Sequence, residues 1–168
     1  MTQRAAFDSD EWSLLRSMPV LVAGAVAVVE PGGIIGALRE ATAVAAVTQT
    51  FLAAHPENEL LTLLTQDQSI PAMPSPRQLM GEGAPHEQAA NYTRNVMTRL
   101  HEALALLERK AAPEETAGYK QFLMQVASGV AKADKEGSFL GFGGKLVSEN
   151  EQSLLDQLAT RLGVPVPS

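Results

Sequence analysis

The chain has 168 residues, of which 45% are hydrophobic, with 13 basic and 19 acidic side chains and a net charge of −6. A domain of this length buries about 70% of its unfolded surface, so it can fold without disulfides or a structural metal. The absence of Cys excludes thiol chemistry and Cys-ligated zinc, and the acidic balance argues against nucleic acid, which needs a basic stripe against its phosphates.

The opening MTQRAAFDSDEW has three acidic residues before any apolar run and does not read as a signal peptide. The longest apolar run, 19–29 (PVLVAGAVAVV), is far shorter than the ~20 residues of a spanning helix. A membrane hairpin completed by 34–54 would bury Arg39 and Glu40, at high cost. The expectation is a cytoplasmic protein without membrane insertion.

The first helix has a strong start: Asp8 as cap, Glu11 three residues on as the reciprocal partner, and Phe7 with Trp12 as a hydrophobic staple. Trp12, Leu15, Met18, Val22, Val26 and Val29 recur at helical spacing. Pro19 falls inside that pattern, and its ring opposes the Leu15 carbonyl, so a kink or short break is expected there. A second helix is expected from about Ile35 to Ala54, with no Asp, Glu, Lys or Arg between Glu40 and Glu57. A short third helix follows, with Pro56 as its first residue and Leu60, Leu61, Leu63 and Leu64 as its apolar surface.

Residues 65–84 (TQDQSIPAMPSPRQLMGEGA) carry Pro71, Pro74 and Pro76, which forbid a continuous helix, although 76–80 can form one turn. Irregular connections of this length are uncommon and tend to carry function. Ile70, Met73, Leu79 and Met80 either fasten this stretch across the bundle or stand out as an apolar contact surface. Pro85 opens a long helix ending near Lys110, and Pro113 opens another that runs to about Asp134. The last helix starts at Ser148, has Glu151 in a capping box, and stops at Gly163. The expected fold is all-α: one compact domain, 1–168, of about six helices.

Residues 22–30 (VAGAVAVVE) can be laid on 126–134 (VASGVAKAD), each followed by Gly-bearing text and a second helix. This suggests two related helix–loop–helix units, 10–54 and 113–163. The small-residue helix ending in Ala133-Asp134, the Gly-bearing loop, and then Val147-Ser148-Glu149-Asn150-Glu151 with a Leu-rich helix resemble the TerB-like helical proteins of tellurite resistance. The likeness covers the C-terminal unit and, more loosely, part of the first. This chain departs from the family where Lys135-Glu136 replace a direct Asp-Gly and where Pro31 follows Glu30. The resemblance implies an all-helical fold and a divalent-metal-binding stress protein. Its candidate ligands here are Asp134 and Glu136, with Glu30 or Glu40 from the other unit; carboxylates suit a hard cation.

No recognised catalytic or cofactor motif is present. His55, His86 and His101 have no partner at ligand spacing. The segment EGSFLGFGGKLVS has Phe139 and Leu146 where a phosphate-binding loop needs Gly and Ser or Thr, and a Ca²⁺ loop opening at Asp134 fails at Phe139 and Lys145. The expectation is therefore no cofactor and no catalytic residue, with an enzyme of unrecognised type as an alternative. Phe139, Leu140 and Phe142 sit on a glycine-rich backbone, where they either close the core end or form an exposed patch. With Met73 they are the candidate interaction residues. The leading functional reading is an interaction or scaffold protein acting through a protein partner or self-association.

Overall fold

The computed structural model describes residues 2–29, 37–136 and 148–167, with backbone only for 37–40 and 134–136. A 3₁₀ turn at Arg4–Ala6 leads into α1 (Ser9–Val28), followed by α2 (Ala37–Ala54), α3 (Glu59–Gln66), α4 (Pro76–Met80), α5 (Pro85–Lys110), α6 (Pro113–Glu136) and α7 (Glu149–Leu162). No strand occurs among the described residues, and the fold is a compact all-α bundle. Among the described residues there are seven α-helices where about six were expected. The addition is α4, where a Ser75–Gln78 capping box turns one proline-led turn into a short helix.

Local signals set most helix ends. The Asp8 side chain accepts from the backbone N–H groups of Asp10 and Glu11, and the Glu11 carboxylate accepts from the Asp8 N–H. Phe7 and Trp12 form the staple with ring centroids 5.6 Å apart. At the far end, Gly163 takes a left-handed conformation (φ 68°) that a residue with a Cβ resists. One boundary differs from expectation. Pro56 and Glu57 form a turn, and α3 begins three residues after Pro56, because the Asn58 side chain caps it by accepting from the Leu61 N–H at 3.0 Å.

The centre of the bundle is α1 with α6. α1 packs against α5, α6, α2 and α3, and α6 also contacts α2, α7, α3 and α5. Leu15, Met18, Leu21, Val22, Ala25 and Val26 of α1 are fully buried, as are Leu123, Val126 and Ala127 of α6. Three of the positions matched by the sequence repeat, Val22 with Val126, Ala23 with Ala127 and Val26 with Val130, are buried in both helices, whereas Ala27, matched with the buried Ala131, is half-buried. Any two core helices would share that property. α5 runs antiparallel to α1: Lys110 pairs with Glu11 at one end, and Tyr92 lies on Gly24 at the other. α1 is also the one helix among the described residues long and apolar enough to cross a membrane, and half of that stretch is buried inside the bundle.

Pro19 does not break α1, which is continuous from Ser9 to Val28. The carbonyl that Pro19 leaves without its intrahelical donor is that of Leu15, and the buried Tyr119 hydroxyl donates to it at 2.7 Å.

Candidate functional site

The feature of this fold least explained by core packing is the connection from Asp67 to Ser75, which has no helix or strand and lies along α1 (here the strap). Its prolines deny it helical structure, so its backbone must find partners elsewhere. Arg16 of α1 provides two of them and grips the flanking groups as well. With its side chain only 10% exposed, its Nε donates to the Leu64 carbonyl at 3.3 Å, and Nη1 donates to Ser69 Oγ at 2.8 Å. Nη2 donates to the Asp67 and Ser69 carbonyls. The planar fork of a guanidinium suits this kind of multiple grip.

Asp67 completes the grip. Its carboxylate lies 3.5 Å from Arg16 Nη1 and accepts from the Trp12 indole N–H at 2.9 Å and the Ser69 N–H at 2.9 Å. Hydrogen bonds from Ser69, through its hydroxyl and its backbone, hold the Asp67 carboxyl down to about 2; the Trp12 bond and the Arg16 charge add to this. Further along, the Ala72 N–H donates to Ser13 Oγ at 3.3 Å. Past α4, Asn95 donates to the Leu79 carbonyl at 2.7 Å and Asn91 to the Met80 carbonyl at 3.1 Å, serving carbonyls that a helix end leaves open. The strap is thus tied to α1 at its start and middle, and α4 is tied to α5 at its end.

Its side chains divide. Leu79 is buried and Met80 packs on the core, as the fastening reading expects, whereas Ile70 is 94% and Met73 41% exposed. The remaining exposed large apolar side chain among the described residues is Val20, at 53%. Ser13, Arg16 and Val20 share one face of α1 at spacings of three and four. Ile70 follows Ser69, which Arg16 holds, and Met73 follows Ala72, which Ser13 holds. Ile70 and Met73 therefore border the seam between the strap and α1, and Val20 lies on the α1 face that carries Ser13 and Arg16.

Of the other candidates, Phe139, Leu140, Phe142 and Glu30 lie outside the described residues, and so do the side chains of Glu40, Asp134 and Glu136. Among the described residues no three His, Asp or Glu side chains gather as a metal site. His55 lies on the Phe51 ring (4.3 Å between centroids) with Glu57 3.3 Å from its Nδ1, while His86 and His101 stand exposed. A cleft of about 570 Å³ is lined by Met97, Ser153, Asp156, Gln157, Thr160 and Arg161. Several of its polar groups bond within α7 itself: Gln157 to Ser153, and Thr160 to the Asp156 carbonyl.

Sequence reading missed Arg16 and Asp67, which lie far apart in the chain and meet only through the fold. The available signal was an arginine on the apolar first helix, a costly residue there unless something binds it. The likeness to TerB-like proteins rests on its sequence motif alone. Comparisons with protein-family models, with curated proteins and with solved structures find no match.

Proposed function

We propose that this chain is an interaction protein: a helical bundle that holds the strap 67–75 rigidly and offers its outer side to a protein partner. The observation that supports this is that Ile70 and Met73, two of the exposed large apolar side chains among the described residues, stand on the tethered strap, with the third, Val20, on the α1 face that holds it. Singly exposed apolar residues are ordinary; two on one tethered, non-helical segment, with a third on the same face of the helix that holds it, are the pattern of a contact surface. Tethering matters energetically, because a segment already fixed loses little conformational freedom when it binds.

The test pairs wild type with the Ile70→Asp, Met73→Asp double variant, each expressed at native level in its own cell. The wild-type chain should migrate in native extract above its monomer mass, and the double variant at that mass. Both melting temperatures should agree, since exposed substitutions usually change stability by less than about 0.5 kcal/mol. Monomer migration of both proteins would overturn the reading.

A further inference from the structure

We infer that Glu115 is a two-position switch through which residues 2–8, ahead of α1, hold α3 and the strap in place. As a control on association this rests on the reading of the strap as an association surface; the coupling itself does not. In α1, α4, α5 and α7 the third residue, Glu11, Gln78, Glu87 and Glu151, turns its side chain back. There it accepts the N–H of the residue before the helix, at 2.7–2.9 Å. α6 has the same layout, with Ala112 before Pro113 and Glu115 third, but Glu115 reaches elsewhere. Its buried carboxylate accepts from the Thr2 N–H at 3.0 Å, from the Thr2 hydroxyl, and from the Leu60 N–H of α3 at 3.3 Å. The Ala112 N–H goes instead to Thr2 Oγ1, at 3.0 Å.

Two open N–H groups at helix starts, those of Ala112 and Leu60, therefore depend on one carboxylate. Both are served only while the Thr2 hydroxyl accepts from Ala112 and donates to Glu115. With Thr2 withdrawn, Glu115 closes its own capping box by turning back to Ala112, as its four counterparts do. The Leu60 N–H then loses its acceptor. Either arrangement gives the carboxylate a donor, and this makes the residue a two-state element and not a fixed strut.

The same segment holds the other end of α3. Phe7 is buried against Trp12, and the Arg4 guanidinium lies 4.7 Å from the centroid of the Trp12 ring. The Trp12 N–H in turn donates to Asp67, which closes α3 and begins the strap. Between the two buried anchors, Thr2 and Phe7, residues 3–6 are exposed. The segment is thus a clasp with one anchor toward each end of α3. Its release loosens both ends, and with them the strap that α3 leads into.

The experiment follows amide hydrogen exchange in the full chain for wild type, Thr2→Asp and Gln3→Asp. The first substitution sets a second carboxylate against Glu115; the second adds the same charge one residue away, at an exposed position. In Thr2→Asp the amides of Leu60, Asp67, Ser69 and Ala72, all bonded in this fold, should exchange about tenfold faster or more. In Gln3→Asp they should stay within about twofold of wild type, and amides of Val96 to Leu100 in α5 should keep wild-type rates in both. The Ala112 amide should stay protected in Thr2→Asp and lose protection when Glu115→Ala is added. Thr2→Ala, which removes the hydroxyl without adding charge, should raise the same rates about threefold or more, and carries the test if Thr2→Asp does not fold. In the Thr2 variant that folds, unchanged rates at Leu60 and the strap, an equal rise in α5, or loss of Ala112 protection without Glu115→Ala would overturn the inference. Thr2→Asp should also shift the assembled chain in native extract toward its monomer mass; an intact assembly would overturn the control of association. If wild type migrates as a monomer while the rates rise as expected, the association reading falls and the switch stands. If wild type is assembled and the rates do not move, the switch falls and the association surface stands.

Discussion

The Tyr119 hydroxyl and the Leu15 carbonyl, 2.7 Å apart and 104 residues apart in sequence, solve a problem created by Pro19. A proline inside a helix withholds the N–H that the carbonyl four residues earlier would accept. Leu15 is fully buried, so no solvent can replace that donor. Tyr119, itself fully buried, supplies it from α6, and burial raises its phenol well above the ordinary value, keeping it a neutral donor. The bond also fixes the position of α6 against α1 at the centre of the bundle.

Tyr119→Phe should therefore cost about 1–3 kcal/mol, the range for leaving a buried acceptor unsatisfied. In a Pro19→Ala background the restored N–H serves Leu15, and the same substitution should cost clearly less. Urea denaturation of the four proteins forms the cycle that measures this coupling. Equal costs in both backgrounds would show that the hydroxyl does not compensate for the proline.

Arg16→Met keeps an unbranched side chain over the α1 surface but removes every bond that Arg16 donates to the strap. The amides of 67–73 should exchange faster with deuterium, consistent with losing about 1.5–3 kcal/mol of charge-assisted bonding. Amides in α5 and α6, away from the contact, should keep their protection. Uniform loss across all helices would mean that Arg16 supports the whole bundle and not the strap in particular.

Asp67 gives the strap an acid dependence with a defined sign. Its carboxyl lies at about 2 in the folded chain against an ordinary 3.8, so the folded state favours the ionised form. A lowered value means stability that is fully present above about pH 4 and lost as pH falls through about 2. Denaturant midpoints followed from mildly acidic pH down to that value should fall less steeply for Asp67→Asn than for wild type. Parallel slopes would contradict the bonds to Ser69 and Trp12.

Gly24 is a packing requirement of the α1–α5 contact, because a Cβ there would land on the Tyr92 hydroxyl. Alanine gains about 1 kcal/mol in helix propensity, but overpacking a closed contact costs about 1–3 kcal/mol. Gly24→Ala should destabilise by about 1 kcal/mol in thermal or urea melts, and less when Tyr92→Phe first removes the hydroxyl. A stabilised single variant would show that Tyr92 relocates freely.

What could be read from the sequence was local. Asp8 with Glu11, Ser148 with Glu151, Pro85, and Gly163 each act within one turn, and each marks its helix end as expected. The start of α3 was misplaced because two local signals competed there, and the Asn58 side chain outweighed Pro56. Of the kink or break expected at Pro19, the break does not occur, and its remedy, Tyr119, was not legible because it comes from another helix. The same holds at the chain start, where the buried Glu115 carboxylate accepts from the Thr2 backbone N–H at 3.0 Å and from the Thr2 hydroxyl. For the strap, sequence supplied its irregularity and its apolar residues. Which of them face outward depended on Arg16 and Ser13, which meet the strap only in the folded chain, and on the two asparagines of α5, which hold α4 beyond it.

The measurement that bears most directly on the strap as an association surface is site-specific photo-crosslinking in living cells. A photoreactive residue placed at Ile70 should give a discrete heavier band carrying this chain, and the same residue at exposed Gln49 on α2 should not. Crosslinking from Ile70 should disappear when Arg16→Met frees the strap, because the surface depends on being held. Equal crosslinking from Ile70 and Gln49, or none from Ile70, would contradict the account.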